Sequence, residues 1–117
     1  MEYTYNIYND IYYLMLAGKK DIEVRLLNEK SEKILVGDFI TFNNIDEKGK
    51  YIKTKIIKKT IYKDVDELLL DNDIERILPG RSKEDLVEIL VKIFKEDFNS
   101  SKLVAFKFKY IDSNFDA

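Results

Sequence analysis

The order of the predicted elements indicates an α+β protein: a curved, mostly antiparallel sheet or small open barrel with helices at its sides. Two observations support this fold class. The strand patterns outnumber the helix patterns and do not alternate regularly with them, as they would in a parallel α/β sheet. In the long strand pattern of residues 51–62, Ile52 and Ile56 share one face whereas Ile57 and Ile61 share the other. This shift of phase predicts a bulge or bend where the strand turns a barrel corner.

Alternation of apolar and polar residues predicts three further strands, and residues 39–42 predict a fourth that is apolar on both faces. Helical spacing and capping residues predict four helical segments. The strands cover residues 2–7, 22–26, 39–42 and 103–110. The helical segments cover residues 10–17, 64–70, 73–78 and 82–96, and the last has the clearest amphipathic stripe. Asn9 or Asp10 can cap the first helix, and Gly18 fits the left-handed residue that ends it. Polar loops are expected at residues 28–33 and 99–102, and a hairpin loop at 43–50.

The composition limits both the setting and the chemistry of the protein. A length of 117 residues, 45% hydrophobic and 36% charged, predicts a single domain over residues 1–117 with its core at about 2–111. Without cysteine and histidine, the chain cannot form Ser–His or Cys–His nucleophile systems, or a zinc site with imidazole or thiolate ligands. Because no apolar run is long enough to span a membrane, we expect a cytoplasmic protein. We expect no cofactor and no metal, and we favour a monomer.

The basic residues are unevenly distributed in both type and position. A formal charge of −2 argues against a strong sequence-independent polyanion binder, but it allows a local basic patch. The most basic region is the hairpin of residues 48–59, which includes Lys53 and Lys55. These lysines form either a solvated outer face or a protected edge strand, or else a ribbon that contacts phosphates. The chain has 17 lysines but only 3 arginines, so each arginine is a more specific signal for bidentate recognition.

The most informative stretch for function is the turn and strand of residues 18–26. Glu23 and Arg25 share one face of the predicted strand, opposite the apolar face. A carboxylate and a guanidinium at this spacing can pair or hold a ligand together. The preceding turn adds Lys19 and Lys20. We therefore expect a functional site here.

Several motifs resemble those of the ASCH domain family, a branch of the PUA-like superfamily. The segment GKKDIEVRL at residues 18–26 is similar to the family's Gly-x-Lys-Thr-x-Glu-x-Arg element, and Val-Gly-Asp follows at 36–38. A lysine-rich strand, a Leu-rich helix at 65–70, Leu-Pro-Gly at 78–80 and the closing Val-Ala-Phe at 104–106 complete the resemblance. It covers about residues 2–111. One departure is Asp21, which stands where a threonine is usual and places an anion beside Lys20.

The resemblance implies a PUA-like pseudo-barrel whose cleft is proposed to bind RNA or a nucleotide, with Lys20, Glu23 and Arg25 lining it. One bacterial branch hydrolyses N4-acetylcytidine with a lysine, a threonine and a glutamate. Lys20 fills the first of these places and Glu23 the second, where it cannot serve as a hydroxyl nucleophile. Asp85 or its neighbour Glu84 fills the third. Another relative is a metal-dependent nuclease that acts on single-stranded RNA.

Three functions remain open at this point. The first is a binding module for RNA or a nucleotide that uses Lys19, Lys20, Glu23, Arg25, Lys53 and Lys55. The second is a small hydrolase, metal-dependent or carboxylate-assisted, that acts on RNA or N4-acylated cytidine nucleosides through Lys20, Glu23 and Asp85. In the third, Glu23 and Arg25 form a structural salt bridge at a barrel mouth, and the protein acts through protein contacts. Whether the protein is an enzyme is left open.

Overall fold

A computed structural model of the chain describes residues 1–113 as a five-stranded sheet flanked by helices. The strands are β1 (Glu2–Ile7), β2 (Ile22–Leu26), β3 (Phe39–Asn44), β4 (Tyr51–Tyr62) and β5 (Leu103–Ser113). The helices are α1 (Asn9–Leu16), α2 (Glu29–Lys33), α3 (Val65–Asp71), α4 (Lys83–Phe94) and α5 (Asp97–Ser100), with a 3₁₀ turn at Ile74–Arg76. Residues 114–117, the end of the predicted domain, lie outside the described residues.

The sheet curls into a half-barrel with the strand order β1-β3-β4-β5-β2. All neighbouring strands are antiparallel except β1 and β3, which are parallel. The predicted fold class is therefore confirmed. The pairing of β4 with β5 shifts register between Ile56 and Lys58, which is the predicted bulge. Because β4 is the third of the five strands, the interpretation of its lysines as protection of an edge strand is wrong.

The apolar core consists of two clusters, one on each face of β5. Phe106 and Phe108 belong to the cluster that also contains Phe42 from β3. Leu103 and Ala105 belong to the other cluster, which holds α3 and α4 against the sheet. Residues 103–106 are buried, consistent with a strand covered on both faces. This second cluster fixes α4 beside β2, and it thereby forms one wall of the site described below.

The ends of several elements differ from the sequence-based expectations. Residues 29–33, expected as a loop with at most a helical turn, form the short helix α2 because Asn28 and Ser31 make a reciprocal capping box. Helix α1 begins without the expected cap from Asn9 or Asp10, since Tyr8 occupies the N-cap position and makes no side-chain cap hydrogen bond. Strands β3 and β5 run two and three residues further than expected, to 44 and 113. Part of the expected loop at 99–102 belongs to α5.

Helix length also bears on the question of a membrane. Among residues 1–113, no helix has both the length and the apolar character needed to cross a bilayer.

Candidate functional site

A cleft of about 650 Å³ lies between the two edge strands, β1 and β2, and helix α4. Its polar wall carries Glu23 and Arg25 from β2, together with Lys20 and with Asn6 from β1. The opposite wall is largely apolar. Its α4 residues are Leu86, Ile89, Leu90, Ile93 and Phe94. The cleft thus opposes a charged strand and a hydrophobic helix, at the place where the half-barrel is not closed.

The Lys20 side chain is buried and fully bonded. The turn that places it there depends on Gly18, whose φ of 74° lets the backbone N–H of Lys20 return to Leu14 O. Lys20 Nζ donates to the carbonyl oxygens of Ile22 and Ile77, each at 2.6 Å, and lies 3.2 Å from Glu23 Oε1. These contacts account for the three donors of an ammonium group. Burial lowers the pKa of Lys20, and the carboxylate of Glu23 opposes that shift.

Glu23 is held between two cations. Its Oε1 faces Lys20, and its Oε2 accepts from Arg25 Nε at 2.9 Å and from Arg25 Nη2 at 2.7 Å. Burial alone would raise the pKa of Glu23, but the charges and hydrogen bonds of Arg25 and Lys20 outweigh it and lower the pKa. Glu23 is therefore an ionised carboxylate with both oxygens engaged.

Arg25 is the member of this row that reaches towards solvent, with its side chain 21% exposed. Besides the two bonds to Glu23, its Nη2 lies 3.4 Å from the carbonyl oxygen of Asn6 on β1. The guanidinium carbon sits 4.1 Å from the ring centroid of Tyr5, in cation–π contact. Arg25 is thereby fixed in orientation by a carboxylate, a carbonyl and an aromatic ring.

The other residues predicted for the site lie outside the cleft. Lys19 is exposed and does not line it. Lys53 pairs with Glu2 at 3.5 Å, and the ammonium of Lys55 lies 5.9 Å from the ring centroid of Phe39, on another part of the sheet. The Asp85 side chain accepts from the backbone N–H of Ser82 and caps α4, and this bond lowers its pKa. The structure thus brings together Lys20, Glu23 and Arg25 but not Lys19, Lys53, Lys55 or Asp85. Their roles stay predictions.

The cleft also includes residues that no sequence motif marks as functional. Asn6, Asp10 and Lys92 are polar residues of its lining, from β1, α1 and α4. Each comes from a segment distant in sequence from the motif at 18–26, and none belongs to a recognisable pattern. The apolar stripe of α4 was found by its spacing, but that spacing does not distinguish a core face from a cleft wall. Within residues 1–113, no group of three or more acidic side chains is placed to hold a metal ion.

Neither a protein-family model nor a curated protein matches the sequence. The sequence is 33% identical to that of the hypothetical protein PH0355. The crystal structure of that protein matches this fold with a TM-score of 0.81, over 95% of this chain and 100% of that one. The chain belongs to the same family as that protein. Protein PF0455 from Pyrococcus furiosus is 25% identical, with a TM-score of 0.72 over 96% and 99% of the two chains. The ASCH domain from Lactobacillus crispatus is 18% identical, with a TM-score of 0.69 over 93% of this chain and 79% of that one. This chain has the ASCH-domain fold.

The ASCH resemblance drawn from the motifs is thus confirmed at the level of the fold, and it makes the departure at Asp21 informative. Asp21 forms a two-point ion pair with Arg76: Nε to Oδ1 at 3.0 Å and Nη2 to Oδ2 at 2.9 Å. Arg76 also donates to the carbonyl of Gly18. The anion therefore joins the turn to the 3₁₀ turn, whereas the contacts of Lys20 run to Glu23 and two carbonyls. Sequence reasoning missed Arg76, because the pair spans 55 residues.

Asp21→Thr, which removes the anion of this pair, is expected to lower the free energy of unfolding by about 0.5–1 kcal/mol. The estimate is modest because the Arg76 side chain is 43% exposed and solvent screens the pair. Urea denaturation of Asp21→Thr, Arg76→Ala and the double variant measures the coupling between the two residues. Strictly additive effects would show that this ion pair does not stabilise the turn.

Proposed function

We propose that this protein binds RNA or a nucleotide in the cleft and that Arg25 is the residue that meets the ligand. The observation that carries the proposal is the state of the Arg25 guanidinium. Its Nε and Nη2 are held by Glu23 and Asn6, whereas no acceptor among residues 1–113 bonds Nη1. A guanidinium has five N–H donors, so the two on Nη1 are available to a phosphate or to a base edge.

The apolar wall opposite Arg25 supports a ligand with a flat, weakly polar body. Ile89, Ile93 and Phe94 of α4 line this wall, and Ile93 is 51% exposed. A base can pack against such a surface while its edge or its phosphate meets the arginine. The cleft volume of about 650 Å³ falls in the range of small-molecule sites. A single nucleotide or one unstacked residue of an RNA fits this combination of walls.

Lys20 and Glu23 act in this proposal through Arg25 rather than on the ligand. Glu23 holds the guanidinium in one plane, and Lys20 helps to keep Glu23 ionised in a buried position. This arrangement does not favour the hydrolase alternative. Lys20 has its donors directed to Ile22, Ile77 and Glu23, so a role in proton transfer would require it to give up those bonds. The third alternative is a structural salt bridge with a role in protein contacts. The salt bridge between Glu23 and Arg25 is present in the structure, and the role in protein contacts stays a prediction.

Arg25→Ala is expected to weaken binding of short single-stranded RNAs by about 10- to 100-fold, which corresponds to the loss of charge-assisted hydrogen bonds from Nη1. Fluorescence anisotropy at low salt is the measurement. Arg81→Ala is the matched control, because it removes the same charge from an exposed position that does not line the cleft. Arg25→Lys keeps the charge but lacks the planar guanidinium, so it should bind RNA more weakly than the wild type.

Two results would contradict the proposal. The first is wild-type affinity in Arg25→Ala, and the second is an equal loss in Arg25→Ala and Arg81→Ala, which would reflect net charge alone. Incubation with N4-acylated cytidines and with RNA plus Mg²⁺ tests the hydrolase alternative, and turnover by the wild type would favour it. We further propose a cytoplasmic location and a monomer, which fractionation and light scattering test. In this proposal Lys19 contributes only general attraction at the rim.

A further inference from the structure

Four lysines on one face of β4 and β5 form two pairs of like charges directly across the strands. Lys55 lies opposite Lys109, and Lys58 lies opposite Lys107. We call this group the lysine square. The bulge after Ile56 returns Lys58 to the same face as Lys55, so the second pair exists because of the break in register. Like charges directly opposite each other destabilise a sheet, and the arrangement therefore needs an explanation outside the strand pair itself.

Neighbouring groups do not neutralise the lysine square. Among residues 1–113, none of its four ammonium groups forms an ion pair or a hydrogen bond, whereas Lys53 next along β4 pairs with Glu2. Lys59 instead turns to the carbonyls of Glu32 and Ile34. Three of the four lysines are exposed and Lys55 is half-buried. Protection of a sheet edge does not account for them, because β4 and β5 are interior strands.

The spacing and surroundings of the lysine square suit the sugar–phosphate backbone of a single-stranded nucleic acid. Lysines two positions apart on a strand are about 7 Å apart, and cross-strand neighbours about 5 Å. A concavity of about 220 Å³ adjoins Lys58 and Lys107 and is lined also by Tyr62 and Asn72. Its lining also carries Asp71, Asp73 and Arg76; because Arg76 is paired with Asp21, the two aspartates disfavour a phosphate inside it. Phosphates would therefore lie on the lysines, with a base directed to the concavity.

From these observations we infer that the lysine square binds the phosphates of single-stranded RNA, on a surface separate from the cleft. None of the four lysines lines the cleft, so the inference does not depend on Arg25. A sheet surface with a half-buried aromatic ring, Phe39, beside Lys55 is typical of contacts to single-stranded nucleic acids rather than to duplex grooves. Repulsion among the lysines in the free protein is relieved when phosphates lie between them.

The test compares Lys58→Gln/Lys107→Gln with the wild type in anisotropy titrations with an oligouridine probe, between about 50 and 200 mM salt. The plot of log affinity against log salt should become shallower by about 1.4, since each lost phosphate contact contributes about 0.7 for a single strand. Lys48→Gln/Lys63→Gln removes the same charge from exposed positions outside the lysine square and should keep the wild-type slope. Lys58→Arg/Lys107→Arg keeps the charge and should bind as the wild type does.

The melting temperature separates lost contacts from lost structure. Lys58→Gln/Lys107→Gln relieves repulsion, so its Tm should equal or exceed that of the wild type while binding falls. An unchanged slope in this variant, an equal change in the Lys48/Lys63 control, or no binding by the wild type at about 50 mM salt would each overturn the inference. So would equal affinity for oligouridine and for polyglutamate. Failure of the cleft proposal has a different signature, because Arg25→Ala would then leave all affinities unchanged.

Discussion

Glu23→Gln is expected to lower the free energy of unfolding by about 3–5 kcal/mol, the largest effect of any single change considered for this chain. The substitution keeps the shape of the side chain but removes the charge that lies between Lys20 and Arg25. A buried ammonium 3.2 Å from the former carboxylate then has only carbonyl partners. Urea denaturation at neutral pH measures the loss. Glu88→Gln, at an exposed position of α4, is the matched control and should have little effect.

Comparison of the wild type with Glu23→Gln also tests how the stability contributed by Glu23 depends on pH. Because the pKa of Glu23 is lower in the folded than in the unfolded protein, ionised Glu23 contributes stability at a pH above the ordinary glutamate value of about 4.3. That contribution is lost as the pH falls through the lower pKa of the folded state. The difference in stability between wild type and Glu23→Gln should therefore shrink in acid. A difference that stays constant down to strongly acidic pH would show that the carboxylate's charge is not what stabilises the fold.

Lys20→Met is expected to cost about 2–4 kcal/mol, because two buried carbonyl oxygens lose their donor while the apolar stem is retained. The affected carbonyls belong to Ile22 and Ile77, and Glu23 keeps its partner Arg25. Denaturation of Lys20→Met beside Lys19→Met is the measurement, since the neighbouring Lys19 is exposed. A stable Lys20→Met variant that has lost RNA binding would show that Lys20 contacts the ligand directly. Loss of stability together with residual binding by the folded fraction fits the structure.

Much of the fold could be predicted from the sequence because local patterns determine it. The shared face of Glu23 and Arg25, the left-handed Gly18 and the bulge in β4 are confirmed. Each depends on residues that are adjacent or nearly adjacent in sequence. The short helix α2 was missed because serine replaces the more usual glutamate or glutamine in its capping box. The predicted cap of α1 was wrong because Asn9 Oδ1 instead accepts a hydrogen bond from Asn44 Nδ2, across the fold.

The site was less predictable because its decisive contacts are long-range. The sequence placed Lys20 beside Glu23 but could not show that its ammonium would bond the carbonyl of Ile77, 57 residues away. For the same reason the sequence predicts Asp21 as a neighbour of Lys20, although its ion-pair partner is Arg76. The exposed face of α4 could not be assigned to the cleft until the position of β2 was known. Local periodicity identifies which side chains share a face, but not what that face meets.

At the open side of the half-barrel, Arg25 also connects the two edge strands of the sheet. Strands β1 and β2 lie at opposite edges of the sheet, with no backbone ladder between them. Arg25 of β2 spans that gap through Tyr5 and Asn6 of β1. The two edges are therefore joined by side-chain contacts, to which Arg25 contributes, rather than by a row of backbone hydrogen bonds. A ligand that bonds Nη1 leaves the contacts of Nε and Nη2 in place, so in the proposed complex one side chain both joins the two edges and meets the ligand.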